Sequence, residues 1–239
     1  MSLPIRNLQP GATEEIRDLT IRGCVVAQAA AAAMVDAIGK GEVSALDSVR
    51  QYEEELDSLD WQINEAVTSA ISQVPEAEAR ELLSCLKFII ELERIGDLLL
   101  NLATRLAAVA GRIDQQDCDD LLHMTELLHR MLTDATTAFC DRDLNRSLAV
   151  LRADAEMDRL RNLMLVRHID NPENAPRQES FHLVFMTQML ERCGDHGKNM
   201  AEEVCHLVTG RSVRHLLRAA DKPFEEMFLE WMRRRELGR

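Results

Sequence analysis

Aromatic side chains are scarce in this chain: they make up 4% of 239 residues, with two Trp and one Tyr. A core without rings must be filled by aliphatic side chains, and the abundant Ala, Leu, Met and Glu suit helices better than strands. Positive charge is also short. Lys and Arg number 28 against 41 Asp and Glu, a net charge of −13. This balance excludes a general nucleic-acid binder or a protein held on anionic lipid, since both need clustered cations. The longest apolar runs, "CVVAQAAAAAMV" and "LLLNLATRLAAVA", are too short and too alanine-rich for a bilayer span. The opening "MSLPIRNLQPGATEE" lacks the apolar centre of a signal peptide. Six cysteines show no C-x-x-C spacing and mostly stand among apolar residues, as thiols of a reducing compartment do. No Gly-rich phosphate loop, nucleophile elbow or convincing Cys/His pair marks an enzyme. These absences predict a cytoplasmic, non-enzymatic protein with no organic cofactor, no nucleic-acid partner and no direct membrane insertion.

What is present is helix. Ten glycines and six prolines fall mostly between long amphipathic stretches. The spacing predicts an all-α protein with helices over 13–38, 43–74, 75–111, 117–139, 143–169 and from Pro176 to Gly210. A tail, 212–239, carries one more amphipathic segment, "FEEMFLEWMRRREL". The pattern is also duplicated. "LERIGDLLLN" at Leu92 recurs as "LERCGDHGKN" at Leu190, an offset of 98. Val49, Leu56, Leu59 and Ile63 recur as Val150, Met157, Leu160 and Met164, an offset of 101. Two tandem three-helix repeats follow, over 11–111 and 115–211, each of a size to form a bundle with its own core.

Beside the apolar seam of each repeat runs a line of acids. In the third predicted helix the seam is Ile89, Leu92, Gly96, Leu99, Ala103 and Leu106, and Glu93, Asp97 and Asn101 stand one residue over. The second helix adds Glu53, Asp57 and Asp60. The second repeat offers Glu191, Asp195 and Asn199 with Asp154 and Asp158. Solvated flanking positions explain many such stripes, and Arg94 with Asp97 or Arg192 with Asp195 has the spacing of an ion pair. Yet the pairs Glu53/Asp57, Glu93/Asp97, Asp154/Asp158 and Glu191/Asp195 each place like charges one turn apart, costing about 0.2–0.5 kcal/mol apiece. None has a lysine one turn away on its own stripe. Gly96 and Gly194 each give up about 1 kcal/mol relative to alanine, which predicts close approach of another helix. A bound cation would reverse the repulsion, and all-oxygen ligands suit Mg, Mn, Ca or Fe better than Zn. Residues i and i+8 lie about 12 Å apart on a helix, so one ion cannot touch both Glu93 and Asn101.

The duplicated "LERIGDLLLN" and "LERCGDHGKN" resemble the twin signature E-R-x-x-D-x-x-x-D/N of the PhoU family, and the likeness extends over roughly 14–215. The resemblance implies a six-helix, often dimeric regulator of phosphate homeostasis. It implies contact with the nucleotide-binding subunit of a phosphate ABC transporter and with a phosphate-sensing histidine kinase. It also implies multinuclear iron or zinc sites in some members, carried here by Glu93, Asp97, Asn101, Glu53, Asp57 and Asp60, and by Glu191, Asp195, Asn199, Asp154 and Asp158. Arg94, Gly96, Arg192 and Gly194 belong to the motifs. Both motifs end in Asn, which weakens charge compensation, and Arg161 stands at the position equivalent to Asp60, which leaves the second repeat poorer in carboxylates. A ferritin-like di-iron bundle is the competing reading, since Glu126-x-x-His129 and Glu179-x-x-His182 match that ligand spacing. A helical interaction module without metal is the other.

Overall fold

In a computed structural model describing residues 11–41, 45–170 and 178–210, every regular element is helical. The helices are α1 (Ala12–Lys40), α2 (Ala45–Ala70), α3 (Glu76–Val109), α4 (Gln115–Asp141), α5 (Leu144–Leu165) and α6 (Gln178–Thr209). The expected tail helix and the ends beyond these residues lie outside the description.

Boundaries depart from the sequence expectation for identifiable reasons. The second helix stops at Ala70 rather than residue 74, because the residue before Pro75 is pushed out of the helical region. α1 runs through Gly39 and ends at Gly41, whose φ of +67° reverses the chain. α4 starts two residues early because Asp114 caps it, its carboxylate accepting from the Asp117 N–H at 2.9 Å. α5 does not continue to residue 169 as an α-helix; Val166–Asp170 widen into a π turn.

α1, α2 and α3 pack on one another, as do α4, α5 and α6. The two bundles join through α1 against α4 and α3 against α6. Both joints are antiparallel: Arg17 reaches Cys140 while Gly39 meets Leu122, and Ser84 reaches Glu203 while Arg105 covers Phe185. Antiparallel contact between equivalent helices is what a pseudo-twofold axis produces. It leaves α2 and α5 on the outside. The core is continuous across the joint, not two separate cores as the repeat length had suggested. The physical reason is alanine. Ala27, Ala30, Ala31 and Ala37 on α1 and Ala135 and Ala138 on α4 are buried and present nothing bulky to hold the bundles apart. Of the described helices, α1 alone is long and apolar enough to cross a membrane by length and composition. Its buried face is instead packed against α2, α3 and α4.

Candidate functional site

The glycines on the two seams are where the outer helices come closest. A Cβ on Gly96 would stand 2.8 Å from Leu56 Cδ1 and 3.7 Å from the Glu53 Cα; one on Gly194 would stand 3.2 Å from Met157 Cγ. Leu56 and Met157 are themselves equivalent in the repeat, so the same crossing is built twice. That crossing brings the acids of α2 beside those of α3, and those of α5 beside those of α6.

On the first rim, Glu53, Asp57, Asp60, Glu93 and Asp97 are close enough to feel one another's charge. Partial burial raises the Glu53 carboxyl above its ordinary value, with Asp57, Asp97 and Glu54 adding to the shift. Glu93 is raised by burial and then by Asp97, Asp57 and Asp60, against the pull of Arg94. Asp60 is raised by burial, partly offset by the amide of Asn64 at 2.9 Å. Arg94 supplies the nearby cation, 3.3 Å from Glu93 and 3.7 Å from Asp97, and it is more than half exposed. Asn101 turns away and donates to the Asp97 carbonyl at 2.8 Å.

The second rim is chemically different. Asp154 is buried and takes a hydrogen bond from Lys198 Nζ. Arg161 Nη1 stands 3.1 Å from Glu191, and its Nη2 stands 3.2 Å from Asp158. Burial raises Asp154 and Glu191, with Lys198 and Arg161 respectively pulling them back. Asp195 and Arg192 face solvent. Asn199 leaves the rim altogether, donating to Glu91 on α3 at 3.2 Å, where Glu91 also meets His196 Nδ1 at 2.5 Å. No lysine was expected on these stripes. Lys198 escaped because it stands three residues from Asp195, off the acidic line, and reaches across to the other helix.

Tested for a metal, the first rim offers the all-oxygen donor set a hard cation takes, with repelling carboxylates and an exposed arginine as their only contacting cation among the described residues. The second rim does not fit, because its own cations sit on the carboxylates a metal would need. As the side chains are placed, no group of three or more His, Cys, Asp or Glu converges to hold an ion among the described residues. The ferritin-like ligand pairs are not brought together: Glu126 is exposed and Glu179 pairs with Arg112 at 3.3 Å. The six cysteines are unpaired, and burial pushes Cys24 up to about 12 and Cys85 and Cys205 to about 11, which makes them inert core thiols.

One polar cluster had no signature in the sequence. Asp117, 3% exposed, accepts from Arg167 Nη1 at 3.0 Å and lies 2.9 Å from His168 Nε2, whose Nδ1 faces Ser180 Oγ at 3.4 Å. The π turn swings Arg167 and His168 into this place, so the cluster clamps α4 to the α5–α6 corner. Fifty residues separate Asp117 from Arg167, and no local spacing links them.

Duplicated bundles that carry paired acidic rims at a glycine crossing define a tandem-repeat helical-bundle protein. A PhoU domain model matches the chain twice, over residues 22–106 and 121–204. The chain belongs to the PhoU family. It is 29% identical over 213 residues to the phosphate-specific transport system accessory protein PhoU homolog of Pseudomonas putida, covering 85% of this chain and 81% of that one. It is 31% identical over 162 residues to the protein of the same description in Rhizobium meliloti, covering 65% and 68%. In fold it is similar to the crystal structure of PhoU from Pseudomonas aeruginosa, with a TM-score of 0.76, 22% identity and 84% of this chain and 99% of that chain covered.

Proposed function

We propose that the protein is a cytoplasmic, non-enzymatic accessory regulator of phosphate transport that acts by contact. The observation that carries this is the pair of domain matches, which falls on both bundles and includes both glycine–acid crossings. The partners are the nucleotide-binding subunit of a phosphate ABC transporter and a phosphate-sensing histidine kinase, engaged by a homodimer. Exposed apolar side chains support a contact role: Phe181 and Phe185 lie one turn apart on α6, 60% and 50% exposed, and Trp61 on α2 is 67% exposed. A groove of about 400 Å³ between α3 and α6 carries Glu91, Glu202 and Glu203 against Lys87 and His206. That balance is wrong for an inorganic phosphate anion, which favours sensing through partners. A hard divalent cation on the first rim, held by Glu53, Asp57, Glu93 and Asp97, would remove their repulsion and stiffen the α2–α3 face. Deletion in the host should derepress phosphatase expression in high phosphate, and the wild-type gene should restore repression where Asp97→Ala/Asp195→Ala does not. Full repression by that variant at normal protein level would remove the rims from the mechanism, and a deletion without phenotype would remove the regulatory role.

A further inference from the structure

We infer that Lys198 and Arg161 are built-in counter-ions occupying the place a metal ion would take between α5 and α6, so that the second rim is closed to metal. The inference rests on reading the acidic rims as cation sites, and it confines that reading to one repeat.

Its basis is a comparison of equivalent positions. At the offset of 98, Lys198 corresponds to Leu100; at the offset of 101, Arg161 corresponds to Asp60. The glycine crossings confirm the register in space, since Gly96 meets Leu56 where Gly194 meets Met157. Two positions that are apolar or acidic in the first repeat are therefore basic in the second, one at each end of the rim. Both cations bind the acids that a metal would need. The Lys198 ammonium bonds to Asp154, whose side chain is 10% exposed. The Arg161 guanidinium spans the two helices, with Glu191 of α6 on one nitrogen and Asp158 of α5 on the other.

A divalent ion entering here would have to take Asp154 and Glu191 from these partners. It would then leave two cations, each no more than about a third exposed, beside its own double charge. A tethered ammonium also differs from a metal in kind: it does not exchange with solvent. The acids a metal would need in the second rim are thus permanently paired and do not report metal supply, whereas the first, with Leu100 and Asp60, has neither substitute.

The test is equilibrium dialysis of the full chain, stripped with chelator, against Mn²⁺, with bound metal read by elemental analysis. Asp154→Asn/Glu191→Gln should leave the wild-type metal content unchanged. Lys198→Leu/Arg161→Asp, which installs the first repeat's residues, should gain an additional ion, and adding Asp154→Asn should abolish the gain. Loss of metal from the wild type on Asp154→Asn/Glu191→Gln would overturn the inference, as would no gain in Lys198→Leu/Arg161→Asp. If that double variant fails to fold, Lys198→Met is examined in a Glu53→Gln/Glu93→Gln background, where the first rim is silenced. There Mn²⁺ should raise the melting temperature only when position 198 lacks its ammonium; equal response with lysine present refutes the idea. A wild type that binds nothing, with the gain intact in the variant, would remove the first-rim cation reading and leave this inference standing.

Discussion

Gly96→Ala should destabilise the protein although alanine is the better helix former. In an exposed helix interior the exchange gains about 1 kcal/mol. At Gly96 the new methyl would stand 2.8 Å from Leu56 Cδ1, too close for any real contact, so Leu56 has to move. It has little room, since it is fully buried, with its other methyl turned toward Gly23 of α1. Leu56 is wedged between two glycines on two different helices. Overpacking of this kind costs about 1–3 kcal/mol, which leaves a net loss of up to roughly 2 kcal/mol after the propensity gain. For a chain of this size each 1 kcal/mol shifts the melting temperature by about 2–4 °C, so a drop of up to roughly 8 °C is expected by circular dichroism. Gly194→Ala makes the informative contrast. Its methyl meets Met157 Cγ at 3.2 Å, and methionine has the torsional freedom to yield, so the change should be near neutral. In a Leu56→Ala background the obstacle is gone, and Gly96→Ala should become stabilising. A rise in melting temperature for Gly96→Ala in the wild type, or additive energies in the Leu56→Ala cycle, would show that close approach is not what keeps glycine there.

Two further outcomes bear on charge and on the polar clamp. Glu53 and Glu93 have carboxyl values raised in the folded state, mainly by burial, so the native chain holds their protons more tightly than the unfolded one. Stability from these groups is therefore greatest below their ordinary value of 4.5 and is lost as pH rises through the raised values. Urea unfolding of chelator-treated protein should show this loss above pH 4.5, and Glu53→Gln/Glu93→Gln should flatten it; an unchanged slope would mean that the rim acids do not couple. Asp117→Asn should cost about 2–3 kcal/mol, because Arg167 and His168 lose the buried carboxylate they share. An unaltered melting temperature would show that the clamp does not hold the α5–α6 corner.

Much of the fold was readable because duplication doubles every signal. The glycines at 96 and 194 announced a close crossing, and each proves to be where a buried side chain of the outer helix presses in. The seams of α2 and α3 are buried almost throughout, with Tyr52 half-covered, as their three-and-four spacing indicates. The site was less readable. Periodicity assigns a residue to a face of its own helix, but it cannot say what that face meets. Asn101 and Asn199 occupy the same motif position, yet one bonds its own backbone and the other reaches Glu91 in the opposite repeat.

By itself the sequence determined the helices, their duplication, and the acids and glycines placed beside each seam, because these depend on spacing within one helix. Tertiary structure decided that the two bundles share one core, that Asp117 gathers Arg167 and His168, and that Lys198 and Arg161 answer the acids of one rim and not the other. Those outcomes depend on which side chains the antiparallel crossings bring within reach, across separations along the chain that no local pattern records.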